Sequence, residues 1–343
     1  MKTNRMLSFA THKQLSQTIH TIALIGIVVC CLPSRANAET WAEKLGYPAD
    51  KKVVVVYATQ MGVCHEANVA GHELLKLGTV QSATAMPPCP WFGDFAASCR
   101  ANPSADIGVA ITLTSEKKNY RWRPIAPASE VTRLVDANGY LAQSVMQFTY
   151  NATPEQVETE IEAQIAHAKK LGLNPTHISP HLGAVFARPD VMAVYLATAR
   201  KHWIPAVVIE LTPEMIAEFR TAGIPLDPET IDLVERYPLP KLDDLRFTEP
   251  ADTYDEKKAG FLNLLNELEP GITQVMVFPA KKSKALQVLY PNWQQRVWEA
   301  KLLADPEVLE ALRSDEIMLT NWKEMMSRFD PTAADADDGV TLD

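Results

Sequence analysis

Val53-Val54-Val55-Val56 is an unbroken run of β-branched residues. A strand with one wet face alternates apolar and polar residues, whereas a continuous run belongs to a strand covered on both faces, as in a parallel sheet flanked by its crossover helices. Residues 67–77 then show helical spacing, 80–86 read as a second strand and 94–100 as a short helix. Residues 106–113 read as a third strand, carrying Ile107, Val109, Ile111 and Leu113 at every second position. Further on, Thr153-Pro154-Glu155-Gln156 joins a capping Thr, a Pro at the first helical position and an acid in the first turn, which predicts a long amphipathic helix to about Leu171. Residues 177–179 predict a strand, 189–202 a helix, 206–211 a strand with Glu210 near its end, and 213–221 a helix. A helix over 256–267, a strand over 273–278, helices over 292–303 and 306–313, a strand over 317–319 and a short helix over 322–326 complete the series. Residues 237–253, rich in Pro, Asp and Leu without periodicity, read as an ordered surface connection. Alternation of strand and helix implies a parallel α/β fold. No G-x-G-x-x-G follows the first strand, so a closed or nearly closed TIM-like (β/α) barrel in a single domain over residues 39–329 is expected rather than a Rossmann sheet.

The first 38 residues carry Lys2, Arg5, Lys13 and Arg35 and no acid, then an apolar run from Ile22 to Leu32, and end in Ala36-Asn37-Ala38. That is the pattern of a secretory signal with a small-residue cleavage site, and the apolar run is well short of the ~20 residues that cross a bilayer. A periplasmic or secreted protein with no membrane span after cleavage is expected. Without the four leader cations, 29 Lys and Arg face 42 Asp and Glu, a net charge of −13, which disfavours tracking of nucleic-acid phosphates. Asp335, Asp337 and Asp338 lie among small residues in a tail, 330–343, that is expected to be disordered. Cys64, Cys89 and Cys99 remain after cleavage, so at most one internal disulfide forms. Cys64 with Cys89 is the candidate pair, and buried free thiols are the alternative.

Polar residues gather just past the strand ends, which in β/α folds is the functional side. The groups are Thr59-Gln60-Met61-Gly62-Val63-Cys64-His65, Pro87-Pro88-Cys89-Pro90-Trp91, Thr112-Leu113-Thr114-Ser115-Glu116, His177 with His181, and Phe278-Pro279-Ala280. In this order, Gly62-Val63-Cys64-His65, Met86-Pro87-Pro88-Cys89-Pro90-Trp91, Leu113-Thr114-Ser115-Glu116 with Tyr120-Arg121-Trp122, and Pro175-Thr176-His177 with His181 make a chain that resembles the YdjC-like carbohydrate deacetylases, exported members in particular. The resemblance runs from about Lys52 to Glu324. It implies a divalent metal held by one Asp and two His, and a neighbouring Asp that activates water to cleave an N-acetyl group from a sugar. The same resemblance marks where this chain departs. Thr59-Gln60 stand in place of an Asp-Asp pair, Ala110 in place of a His, and His177-Ile178-Ser179-Pro180-His181 in place of His-x-Asp-Ser-His. Gln274 and Phe278 stand in place of a Glu and a His. His181 is the single metal-ligand position retained.

Neutral oxygens and a methyl group hold hard divalent cations poorly, and without a carboxylate at 59 or 60 the base is missing as well, a loss worth ~10²- to 10⁴-fold. The first expectation is therefore a catalytically impaired pseudoenzyme that binds a carbohydrate or a partner and needs no cofactor. Its substrate-binding candidates are Glu116, Tyr120, Arg121, Trp122, Cys64 and His65, for which the plain alternative is a loop packed across the barrel mouth. A second expectation is a working, metal-dependent N-acetyl-sugar deacetylase with ligands relocated to Cys64, His65, His181 or Glu66, holding a divalent metal. A third is a purely structural envelope protein. His177 reads as a satisfied structural histidine, Trp91 as core, and Lys281, Lys282 and Lys284 as a solvated face.

Overall fold

The computed structural model describes residues 39–221 and 226–330, so the expected leader and all of the acidic tail beyond Asp330 lie outside the described residues. In chain order the elements are helix α1 (Trp41–Lys44), strand β1 (Lys52–Met61), α2 (His65–Leu77), β2 (Ser82–Ala85), α3 (Phe92–Arg100), β3 (Asp106–Ile111), α4 (Val145–Asn151) and α5 (Pro154–Lys170). There follow β4 (Ile178–Pro180), a 3₁₀ segment (His181–Ala187), α6 (Pro189–His202), α7 (Pro213–Thr221), α8 (Pro228–Glu235), β5 (Asp244–Phe247) and α9 (Tyr254–Glu267). The chain continues through β6 (Gly271–Val277), α10 (Lys284–Leu289), α11 (Trp293–Leu302), α12 (Pro306–Ala311), β7 (Ile317–Leu319) and α13 (Trp322–Arg328).

All strands run parallel in the order β4-β3-β2-β1-β6-β5, with β7 also paired to β1. One edge of β1 is divided between two partners. β7 covers Lys52 to Val54 and β2 covers Tyr57 to Met61. In the gap between them the Gln81 side chain accepts from the Val56 amide at 3.1 Å and the Gln81 amide donates to the Val56 carbonyl at 3.0 Å, so no buried backbone group of β1 is orphaned there.

The expected closed barrel does not form. The sheet is an open, curled half-barrel that turns through 221° and leaves its edges 12 Å apart. The segment expected as a strand over 206–211 lies in this opening and makes only isolated bridges, Ala206 to Ile178 and Ile209 to Leu242. Two prolines explain the interruption, because Pro180 ends β4 and Pro205 precedes the bridge, and neither has an amide proton to extend a ladder. The connection expected over 237–253 contains β5, an edge strand paired only with β6. Among the described residues no single helix is long and apolar enough to cross a membrane.

The period of two along β1 separates two cores. Val54, Val56 and Ala58 pack into the large cluster shared with the helices, while Val53, Val55 and Tyr57 face the concave side with Trp41, Trp322 and Ile272. That concave side is plugged by Trp322, whose indole donates to Gln274 Oε1 at 2.9 Å and stacks on His177 with ring centroids 5.5 Å apart. His177 is fully buried, with Tyr57 Oη 2.9 Å from its Nε2 and Thr176 Oγ1 2.9 Å from its Nδ1. Gly108 is required beside it, since a Cβ there would meet His177 Nε2 at 2.4 Å. His177 is thus a satisfied core histidine, as expected of a histidine on general grounds.

Burial pushes His177 down to about 3 from an ordinary 6.5. Below pH 6.5 the unfolded chain takes up a proton that the folded chain refuses, so stability from this group is complete above 6.5 and is lost as pH falls toward 3, by about 1.4 kcal/mol per unit. Glu160 has the opposite sign. Burial pushes it up to about 7, against hydrogen bonds from Ile125, Ala126 and Gln164, so its contribution is full below 4.5 and is lost as pH rises through 7. The difference in urea stability between the protein and His177→Gln isolates the histidine. That difference should shrink below about pH 6.5 with the slope given, and a difference independent of pH would contradict the assignment.

Candidate functional site

Parallel strands end on one side of the sheet, so the loops after β1, β2, β3, β4 and β6 converge there. β1 ends irregularly, its pairing with β2 slipping between Ala58 and Met61. Gln60 (φ 63°) and Gly62 (φ 83°) both adopt the left-handed conformation. At 62 only glycine serves, because of that φ and because a Cβ would lie 3.0 Å from the Phe92 Cα. Asn68 ties the first two loops together. Its Oδ1 accepts from the Gly62 amide at 2.7 Å, and its Nδ2 donates to the Trp91 carbonyl at 2.9 Å and to Asp94 Oδ2 at 2.8 Å. The loop so fixed leaves Trp91 41% exposed against the His65 ring, 5.1 Å away, so the expectation that Trp91 is core is corrected.

The left-handed turn at Gln60 aims its amide at α11. Gln60 Oε1 accepts from Arg296 Nη2 and from Tyr290 Oη at 3.2 Å. Arg296 is 5% exposed, its guanidinium 3.7 Å from the Tyr290 ring centroid and 5.4 Å from that of Phe278. Lys117 Nζ lies 4.0 Å from the same Tyr290 centroid. Across the site, His181 Nε2 sits 3.3 Å from Glu116 Oε2, with the Trp122 ring edge-on at 6.4 Å. Burial pushes the Glu116 carboxyl up, but His181 and then Lys117 outweigh it and hold the group below its ordinary value. Burial pushes the Lys117 ammonium down, with Glu116 opposing and Arg296 reinforcing the shift.

The structure brings Gln60, His181, Glu116 and Trp122 to this centre and gives other tasks to the remaining expected residues. Thr59 is buried and accepts a hydrogen bond from Thr84 at 3.2 Å, and Ala110 is buried without a polar atom in its side chain. Gln274 lies deep in the concave core on Trp322, and Phe278 stacks on Phe247 with its amide donating to Glu299. Arg121 turns to Asp136 at 2.9 Å and to the Leu141 carbonyl, and Tyr120 donates to the Val63 carbonyl at 2.7 Å. Both therefore pin the strap that crosses the strand ends. Trp122 is buried, donating to the Thr114 carbonyl at 2.8 Å. Lys117, Tyr290 and Arg296 escaped the sequence reading. The signal for Arg296 was its position, since Arg296, Glu299 and Leu302 share the buried face of α11 at a spacing of three, where charged residues are rare.

As a chemical centre the site offers a histidine, a carboxylate and two cations. Cys64 starts α2, His65 leans outward on Trp91 and Glu66 accepts from Ser283, so these do not join His181 as a ligand set. Among the described residues no three His, Cys, Asp or Glu side chains are grouped to hold a metal ion.

Residues 53–314 match the YdjC-like protein family. The chain belongs to that family. A carbohydrate deacetylase from Thermus thermophilus is 32% identical over 273 residues, covering 79% of this chain and 92% of the relative. A carbohydrate deacetylase from Thermoanaerobacter pseudethanolicus is 28% identical over 79% of this chain and 98% of its own length. A crystal structure of a candidate cellobiose-phosphate cleavage protein from Enterococcus faecalis V583 is 26% identical, with a TM-score of 0.66, covering 80% of this chain and 99% of that one.

In this YdjC-like protein Cys64, Cys89 and Cys99 are free buried thiols, so the candidate pairing of Cys64 with Cys89 is corrected. Burial pushes Cys64 up to about 11 and Cys99 to about 12, and raises Cys89 well above its ordinary value, reinforced by Glu116 and Cys64. Thiolate is the reactive form. Maleimide labelling of the folded protein lacking residues 1–38, at about pH 8, should run ~10²-fold or more slower than labelling in denaturant, which should count three thiols without reductant. Fewer than three would show a disulfide.

Proposed function

We propose that this YdjC-like protein holds a carbohydrate at its strand-end site without hydrolysing it, as a pseudoenzyme of the carbohydrate deacetylase type. The observation that carries the reading is Gln60. Where the family resemblance calls for a carboxylate, a neutral amide stands, and its oxygen is already bound by Arg296 and Tyr290. A carbonyl oxygen facing a guanidinium is a poor partner for a second cation, because the two positive charges repel. Ala110 supplies nothing to replace it, and the remaining imidazole, His181, is engaged with Glu116. With no carboxylate at 59 or 60, β1 brings no base to the site, and the carboxylate that stands there, Glu116, is engaged with His181 at 3.3 Å.

A sugar ligand is supported by the family and by the form of the rim. Trp91 presents an exposed indole beside His65, a surface suited to the apolar face of a pyranose, and half-buried Gln60, Glu116 and Lys117 offer donors and acceptors beside the site. The pattern of residues 1–38 supports action outside the cytoplasm.

The test is acetate release from N-acetylated chito-oligosaccharides by the protein lacking residues 1–38, with zinc, magnesium, manganese or cobalt supplied in turn. Release no faster than the protein-free control is expected. Metal-dependent release that His181→Ala abolishes would overturn the proposal and establish a working deacetylase. In a parallel titration, Trp91→Ala should weaken oligosaccharide binding about tenfold, and unchanged binding would remove Trp91 from the site.

A further inference from the structure

Among the described residues Arg296 makes no ion pair. Its Nη2 is spent on the neutral oxygen of Gln60, and its Nη1 is buried with no hydrogen-bond partner among the described residues. Aromatic faces lie beside the guanidinium, Tyr290 at 3.7 Å and Phe278 at 5.4 Å, but a ring quadrupole does not compensate a full charge as a carboxylate does. A second cation, Lys117, lies on the same Tyr290 ring at 4.0 Å. The acid across the site, Glu116, sits 3.3 Å from His181 Nε2. Two side-chain cations therefore share this corner with one engaged carboxylate. Buried guanidinium groups are kept where an anion meets their planar fork, because leaving one uncompensated in a low-dielectric interior is costly.

From this juxtaposition we infer that the site takes an acidic sugar, one whose carboxylate is received by Arg296 and Lys117. The inference rests on the reading that the site binds a carbohydrate without hydrolysing it. Arg296 and Lys117 outnumber the Glu116 carboxylate at this corner, which suits a ligand that carries a carboxylate of its own. A phosphate ester, at about −1.5 to −2 near neutral pH, would crowd Glu116 with like charge. The exposed Trp91 serves the sugar, and the two cations serve its acid. Tyr290 positions both cations and Gln60 without itself contributing charge. Lys117 and Gln60, both half-buried, form the part of this corner open to solvent.

The experiment is a calorimetric titration of the protein lacking residues 1–38 with methyl glucuronide, methyl glucoside and sodium acetate. The glucuronide should bind at least about tenfold tighter than either of the others, and its affinity should fall as salt is raised. Arg296→Met should remove that preference. Since a core substitution can unfold the chain, Gln60→Glu is the companion variant, giving Arg296 a carboxylate from within. It should raise the melting temperature while abolishing preference for the acidic sugar. Equal affinity for glucuronide and glucoside, no binding of either, acetate binding as tight as the glucuronide, or an unchanged preference in Gln60→Glu would each overturn the inference. Failure of the underlying reading is a separate result, metal-dependent acetate release, and an acidic-sugar preference accompanied by such release would show the binding assignment right and the pseudoenzyme reading wrong.

Discussion

The hydrogen bond from Arg296 to Gln60 is the constraint around which the strand-end site is arranged. A parallel β/α sheet delivers its loops to one side, and the last residues of its central strand decide what chemistry that side holds. Here the penultimate residue of β1 is a left-handed glutamine whose oxygen is bound by a guanidinium and a phenol. Left-handed backbone at a residue other than glycine costs on the order of 1–3 kcal/mol and persists only where its surroundings fix it. The surroundings are on hand: Met61 pairs with Ala85, Gly62 turns against Phe92, and Asn68 closes the loop onto Trp91 and Asp94. What this turn presents to the site is an amide whose oxygen is already bound by Arg296 and Tyr290.

The cohesion of the described scaffold comes from buried protein groups. The concave side of the half-barrel is filled by protein, with Trp322 wedged between Gln274 and His177, and with Trp41 and Ala42 donating backbone amides to Asp243. Asp243 also receives the Ile272 amide, and Asp106 receives the amides of Trp322 and Lys323, so α1 and α13 are fastened to the sheet by buried carboxylates. Polar groups so satisfied stabilise one arrangement of the core and leave the strand-end loops free to diverge.

Much of this was legible in the sequence because local physics repeats the global answer. The β-branched run announced a doubly covered strand, and a proline at the first helical position marked the starts of α5 and α6. The motif order pointed to the family to which the chain belongs. Closure of the barrel was not legible, since it turns on ladder donors missing at Pro180 and Pro205, and propensity counts strands without counting their amide protons. β5 was hidden because its four residues are half-buried on an edge and show no alternation. Roles of the strap residues were hidden too. Tyr120 and Arg121 look like sugar contacts until Val63, Asp136 and Leu141 are seen to occupy them. Arg296 lies more than two hundred residues from Gln60, and only folding places one beside the other.

The central claim is that the strand-end site has lost its grip on a divalent ion. Its most direct test is the metal content, by plasma mass spectrometry, of the protein lacking residues 1–38, purified without chelators and dialysed against metal-free buffer. The account predicts that zinc, manganese, cobalt and nickel will be present only in trace, substoichiometric amounts, the same in the protein and in His181→Ala. Close to one equivalent of a divalent metal in the protein, lost in His181→Ala, would contradict it.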